Sequence, residues 1–599
     1  MDRRTTLALA LCLIIFALFT ALGQKYAPKP VPRRVPVAGT AQIGATNGSL
    51  APADSSAPNG AAAVAAVAAA TGIAEQHSVI ETPLYRAEFT NAGARLLKVE
   101  LKKYGASFGA SDYSHHPERL PHRGEDVPAG DRVTLGGEPT FALDLGSGAS
   151  RRRLDHVMYS VAESTDAAGA VRALTFTATD SGGMTLRQVW RVRPDSYLLD
   201  LAVDITHVPD RWHLTDYSLT MRSWALMTES NPKLELRSLR TLSLVGKDVH
   251  RDGAQGIVGK ERKVEEGVAH WAGVQSHYFM ALIATSSNEG RAAWRTAERR
   301  QLTAEQLAVL PKDTDASQPV AVGTLVMPVP ATGTAAHHFV AYFGPADYFS
   351  LAKQSGPLEL ERAVDMGWSW IVPISRLMLQ LLRAVESVVK NYGVAIFLLA
   401  TIVRLLLHPF NMSSMKSMRS MQRLQPEIGR LREKYKNDAS ALNTATMALY
   451  RENSVNPAGG CLPMVLQMPL FFSMYAVINN AIDLRHAPFG GWIHDLSAPD
   501  LLMNVGSFPI RLLPILMAVT GLLSQRFAPT DPKQAPTMYM MNVVMLGIFY
   551  NLPSGLVFYW TVMNLLTTIQ QWLAMRGENG VVVVTAPPEK TKKGRRPSS

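Results

Sequence analysis

Cysteine is almost missing: 599 residues carry only Cys12 and Cys461, far apart and each in or beside an apolar segment. That excludes a disulfide framework and a cysteine-based metal site. No GxxxxGK[ST] loop occurs, so the sequence signals no nucleotide and calls for no cofactor. Nor does any spacing of histidines and carboxylates define a metal site or an acid/base pair, so His207, His213 and Glu229 are read as surface or packing residues. Lysine and arginine are absent from the loop 486–508. The chain is too long for one core, and its mean hydropathy of +0.03 is too polar for membrane spans alone. A soluble part must be joined to a membrane part. The net charge of +11 does not imply DNA as a partner, because much of it lies in loops and tails beside the apolar segments.

Residues 1–23 read as an N-terminal transmembrane anchor. Arg3 and Arg4 precede an apolar run from Thr5 to Leu22, longer than the roughly 7–15 residues of a signal-peptide core, and Leu9-Ala10-Leu11-Cys12 lacks the small residue expected before a lipoprotein cysteine. Cleavage at Ala21-Leu22-Gly23 stays open. Residues 24–77 are rich in Pro, Ala, Gly and Ser and read as a disordered periplasmic linker. Across 78–349 apolar and polar residues alternate. Leu174, Phe176 and Ala178 face away from Thr175, Thr177 and Thr179, and Leu199, Leu201, Val203 and Ile205 from Asp200 and Asp204. This predicts a large antiparallel β-sandwich.

Within 366–390, Ile374, Leu377, Leu381, Val385 and Val388 form one helical face and Arg376, Gln380, Arg383, Ser387 and Lys390 the other, with Trp368 and Trp370 just before. The pattern predicts an amphipathic helix lying on a membrane surface. Five apolar stretches follow at 391–410, 461–483, 509–527, 537–552 and 554–575, making six spans with the anchor. The segment 411–460 is basic, whereas 486–508 is not, which places both termini in the cytoplasm and the sandwich in the periplasm. The fold class is thus an α+β membrane protein: six transmembrane helices, a five-helix core over 391–575 and a periplasmic sandwich.

The basic segment 411–455 predicts a cytoplasmic helical hairpin turning near Asn437-Asp438. Met415, Met418, Met421, Leu424, Ile428, Leu431 and Tyr435 make an apolar stripe. The methionines fit a hairpin core or a pliable surface for varied apolar segments. Arg419, Arg423, Arg430 and Lys434 fit a solvated face or contact with anionic lipid or ribosomal RNA. The tail 576–599, with Lys590, Lys592, Lys593, Arg595 and Arg596, reads as basic and disordered. Span 538–552 would cover only about 22 Å, so it thins the bilayer or borders a cavity. Gln467, Ser524, Gln525, Asn542, Asn564 and Gln570 recur inside the spans as interhelical ties or parts of a pathway.

Arg404, within the apolar run Val394 to Leu407, is the sharpest single feature. A guanidinium at membrane depth marks a polar cavity or, this near the helix end, snorkels to the headgroups. Asp483, near the periplasmic end of a span, is the nearest thing to an acidic partner for it within the spans.

Asn456-Pro-Ala-Gly-Gly-Cys461, Gln467-Met-Pro469, Trp492-Ile-His-Asp-Leu-Ser497, Pro553-Ser-Gly-Leu556 and Gln570-Gln571 occur in that order, with Arg404 seven residues before Asn411. In these stretches the chain resembles the YidC-type membrane protein insertases of Gram-negative bacteria. Phe89-Thr-Asn-Ala-Gly93 and Leu101-Lys-Lys-Tyr104 resemble the start of their periplasmic domain. The resemblance implies a non-enzymatic inner-membrane insertase and chaperone with a hydrophilic groove around Arg404. Gln467, Ser524, Asn564, Tyr559 and Trp560 are expected to contact substrate there. Ala400, often a small hydroxyl residue in relatives, and Trp560, a common tyrosine, depart from the pattern. Implied partners are nascent membrane proteins, the Sec translocon with its accessory subunits, the ribosome and the lipid bilayer. A secondary transporter or channel and a membrane-anchored periplasmic carbohydrate-active protein are the alternatives.

Overall fold

The structure, a computed structural model, describes residues 73–107, 125–146, 151–180, 182–224, 229, 232–304, 307, 315–330, 333–456, 462–505, 508–527 and 535–576. The N-terminal anchor, nearly all of the linker, Cys461 and the basic tail beyond Arg576 lie outside them. The chain forms two compact units: one of 1–393, 468–500 and 553–555, the other of 394–467, 501–552 and 556–599.

The first unit is rich in β-structure, with antiparallel pairing throughout its sheets. A nine-stranded sheet runs through strands starting at Asp248, Arg240, Ala269, Phe279, Ala335, Leu198, Thr185, Val171 and Ser160. A six-stranded sheet runs through those starting at Lys263, Ala292, Ser317, Asp216, Ala142 and Arg152, and a four-stranded sheet through those at His77, Tyr85, Arg95 and Arg132. The alternation seen in the sequence is the register of the large sheet: Leu199, Leu201, Val203 and Ile205 are buried, and Leu201 sits opposite Phe339 and Trp190. The two larger sheets touch where side chains vanish. A Cβ on Gly323 would lie 2.5 Å from the Gly273 carbonyl oxygen, so glycine is required for that approach. Elsewhere in the unit Phe89, Phe141, Trp190 and Phe343 pack ring to ring at 5.1–5.2 Å.

The amphipathic stretch is helix α1 (Val372–Val389). It buries Ser375, Met378, Leu379 and Leu382 against the protein. Of the predicted apolar face, Ile374, Leu381 and Val385 are half-buried, while Leu377 is 50% and Val388 80% exposed.

The second unit is helical. It holds α2 (Tyr392–Leu406), α3 (His408–Arg423), α4 (Gln425–Lys434), α5 (Ala439–Glu452), the first turns of α6 (Leu462–Asn480), α7 (Leu512–Phe527), α8 (Ala535–Phe549) and α9 (Ser554–Arg576). The helices seen here do not by themselves supply the expected set of spans. Among the described residues no single helix is long and apolar enough to cross a membrane; α2 with His408–Met421 qualifies only as a pair bent by 60°. The predicted span 391–410 ran through Pro409, which has no N–H to give the preceding turn and breaks the helix there. Residues 508–510 form a short strand rather than the start of a span, and α7 and α8 have 16 and 15 residues.

The hairpin 411–455 also differs in detail. Pro426 divides its first arm at Leu424, giving α3 and α4 in place of one helix. The chain turns over 435–437, and the Asp438 side chain caps α5 by accepting from the Ala441 N–H at 2.9 Å.

Candidate functional site: the polar interior of the helical unit

The helical unit is apolar outside and polar inside. Leu405, Leu406, Val519, Val543 and Ile548 are 55–70% exposed, whereas Arg404 is only 6% exposed. A snorkelling arginine would hold its head in the open; this one is covered by protein. Its Nε has no hydrogen-bond partner, and among the described residues no carboxylate pairs with it. Tyr559 on α9 is close enough to interact electrostatically with Arg404, and its buried hydroxyl is unpartnered as well. Buried polar atoms without partners are uncommon and need an explanation.

Similar atoms occur elsewhere in the same unit. The Asn411 side-chain N–H2 and the carbonyl oxygens of Gln525 and Gln570 are buried without partners. Other polar groups tie helices together. Gln525 donates to the Met538 carbonyl at 3.1 Å, Asn564 to that of Met517 at 3.4 Å, and Ser524 to the Gln571 side-chain oxygen at 3.5 Å. Gln570 and His408 meet at 3.1 Å. Gly521 makes room for this: a Cβ there would lie 2.6 Å from Asn542 Oδ1. Of the expected contact residues, Tyr559 thus neighbours Arg404, while Ser524 and Asn564 bond between helices. Gln467 is half-buried on α6, and Trp560 is half-buried with its ring 5.7 Å from Phe549.

Along the hairpin the stripe is graded. Leu424 and Ile428 are buried, Met415, Met418 and Met421 half-buried, Arg419 half-buried, and Arg423, Arg430 and Lys434 exposed. The methionines are therefore partly open.

The sequence reading missed Asn411, Ser414 and Gly521. Of the two readings left open for Glu229, surface or packing, the second holds, since it is a buried ion-pair partner in the β-rich unit: Arg485 donates to it at 2.7 Å and to the Gly105 carbonyl at 2.7 Å. Only spatial neighbours could show this, since 256 residues separate the pair. Asp483 pairs with Arg383 at 2.5 Å, and Arg383 also reaches Asp347 at 2.6 Å. Within Trp492-Ile-His-Asp-Leu-Ser497, Asp495 accepts from the Ser497 N–H and hydroxyl at 2.8 and 2.6 Å. Burial nevertheless pushes its carboxyl up to about 6. Burial likewise lowers His277 to about 4 and His486 well below its ordinary value, so both rings are held neutral. His277 bonds the Asn479 carbonyl at 2.7 Å, and His486 the Ser107 hydroxyl at 3.0 Å.

Comparison with known proteins defines the class first. Residues 384–580 match the family model described as 60Kd inner membrane protein, and residues 135–380 the one described as YidC periplasmic domain. This is a bacterial inner-membrane protein with a large β-rich periplasmic domain. The membrane protein insertase YidC of Geobacter metallireducens is 31% identical over 95% of this chain and 98% of that protein. The one from Syntrophus aciditrophicus is 31% identical over 96% of this chain and 99% of that protein. The chain belongs to the YidC family of membrane protein insertases. A solved structure described as an active YidC insertase with its first transmembrane domain resolved is 16% identical, covers 84% of this chain and 93% of that one, and has a TM-score of 0.33.

Proposed function

We propose that this chain inserts nascent inner-membrane proteins, and helps them fold, by admitting their polar segments to the interior of the helical unit at Arg404. The observation that carries this reading is the buried pair of Arg404 and Tyr559, both with unsatisfied polar atoms, beneath an apolar exterior. A polar tail entering there avoids the several-kcal/mol penalty of facing hydrocarbon, and the fixed positive charge attracts its acidic residues. Apolar segments then leave the groove for lipid, driven by hydrophobic partitioning and aided by the membrane potential on acidic tails. The work is done by partitioning rather than by covalent chemistry, so the protein is not an enzyme in this reading.

Both termini face the cytoplasm, following the basic segment 411–460, and the β-rich domain faces the periplasm. The half-open methionines of α3 receive apolar client segments, and Arg419, Arg423, Arg430 and Lys434 meet the ribosome. The Sec translocon is a partner for larger clients. Gln467, Ser524, Asn564 and Trp560 line the route beside Tyr559. Site-specific photocrosslinking of a stalled nascent chain tests this: probes replacing Tyr559 and Trp560 capture the client's translocating segment, and probes at the outward residues Val543 and Ile548 do not. Equal capture at both pairs would overturn the groove.

A further inference from the structure

Helices α7 and α8 are too short for a bilayer. At about 1.5 Å per residue they reach about 24 and 22 Å, against a hydrocarbon core of about 30 Å. Thinning the membrane is one remedy; the structure offers another. Strands Met503–Val505 and Phe508–Ile510 pair antiparallel, with Met503 opposite Ile510 and Val505 opposite Phe508, so all four share one face. Leu501, Leu502, Met503, Val505 and Phe508 are 45–62% exposed, and no charged residue occurs between Asp500 and Arg511. An isolated two-stranded hairpin is marginal in water, and such a dense apolar surface needs a cover.

The neighbouring groups say what the cover is. Arg511 joins the second strand to α7 and donates to the Tyr550 carbonyl and the Asn551 side chain just past the end of α8, with its guanidinium 5.1 Å from the Tyr550 ring centre. The Tyr550 hydroxyl donates to the Pro509 carbonyl at 2.5 Å, and its ring stacks on Phe508 at 5.8 Å. An arginine that donates to a backbone carbonyl and an amide side chain at a helix end has the acceptors a cation needs at membrane depth. The hairpin is thus fastened to the ends of two membrane helices while its apolar face is open. A three-residue strand adds about 10 Å at about 3.3 Å per residue, and Phe508–Ile510 runs through Arg511 into α7, which brings that helix to about 34 Å.

We propose that this hairpin is embedded among lipid acyl chains and completes the hydrophobic thickness that α7 and α8 lack. The partner is the lipid tail region itself, not a headgroup or a protein. At this end of the two helices the bilayer keeps its thickness, and any thinning belongs to the opposite end. The inference rests on the inner-membrane location and not on the groove, so the two stand or fall separately.

The test uses full-length protein in proteoliposomes of phosphatidylethanolamine and phosphatidylglycerol. With Cys12→Ser and Cys461→Ser as background, a spin label is placed at Met503→Cys, Val505→Cys or Phe508→Cys, and at Val264→Cys in the β-rich unit as an exposed control. Collision with oxygen, which concentrates among acyl chains, is compared with collision with a water-soluble nickel chelate. The oxygen-to-nickel ratio is expected to be several-fold higher at 503, 505 and 508 than at 264. A ratio equal to the control places the hairpin in water, and shielding from both reagents places it under protein; either overturns the proposal. A second measurement needs no substitution. Wild-type protein is photolabelled by a phospholipid carrying a carbene precursor on its acyl chain, then digested with trypsin. No Lys or Arg lies between Arg485 and Arg511, so 486–511 is released as one peptide. Adducts on 501–510 are expected; adducts confined to helix peptides contradict the inference.

Discussion

The two units treat a buried arginine in opposite ways. In the β-rich unit Arg295, 2% exposed at its side chain, donates to Asp252 at 2.7 Å, Glu265 at 3.0 Å and Ser243 at 2.7 Å, and Arg485 and Arg383 are likewise held by carboxylates. In the helical unit Arg404 is buried to a similar degree, yet among the described residues no carboxylate pairs with it and its Nε is idle. A paired buried charge is spent on holding structure together, and its loss is felt as instability. An unpaired one is available to whatever enters. The difference separates scaffold from site without any catalytic residue having to be named.

The largest expected effect breaks a paired charge. Asp252→Ala leaves Arg295 short of its closest carboxylate and should destabilise the β-rich unit by about 3–5 kcal/mol. Arg404→Leu breaks no pairing with a carboxylate and should leave thermal unfolding within about 1 kcal/mol of wild type. Denaturant melts of both variants check this, and a larger loss for the Arg404 variant would reverse the comparison.

Next comes the pH dependence of the β-rich unit. His277 is held neutral with a folded value of about 4, so the unfolded chain takes up its proton first as pH falls. The stability it contributes is present above its ordinary value of 6.5 and is lost toward 4, about 2 kcal/mol of it between pH 7 and 5. His486 is lowered too and acts in the same direction. Asp495 opposes them, because a carboxyl raised to about 6 favours the folded state as pH falls to that value and below. Two rings against one carboxyl make the unit less stable at pH 5 than at pH 7. His277→Gln should flatten the profile of melting temperature against pH, and an unchanged slope would refute its role.

A smaller effect is expected at Gly521. An added Cβ meets the movable end of Asn542, so Gly521→Ala should cost about 1 kcal/mol by overpacking. Comparing its thermal midpoint with wild type in detergent checks this. The smallest effect on stability is expected from the hairpin 411–455, where α5 has no fully buried residue. Shortening α4 and α5 by whole turns should lower client insertion while the protein stays in the membrane at wild-type abundance. Degradation of the shortened protein would make the hairpin structural.

The β-rich unit was legible in the sequence because strand alternation is local: residues 174–179 and 199–205 state their own register. The helical unit was legible as apolar runs, but its breaks were not, since hydropathy passes smoothly through Pro409 and Pro426 while the backbone does not. Arg404 stood out because one charge in an apolar run needs no neighbours to be noticed. Its partner in space did not, as 155 residues separate it from Tyr559. The pairing of Glu229 with Arg485 escaped notice for the same reason, as did Gly521, whose role is to let the amides of Asn542 and Asn564 come near.

The most direct measurement is insertion of one small client with an acidic translocated tail into proteoliposomes by wild type, Arg404→Lys and Arg404→Ala. The tail is then neutralised by exchanging its acidic residues for amides. If Arg404 acts as an available charge, the lysine variant keeps most of the activity, the alanine variant loses it on the acidic tail, and the gap closes on the neutral tail. Alanine matching wild type on both tails, or failing equally on both, would contradict the electrostatic role of Arg404.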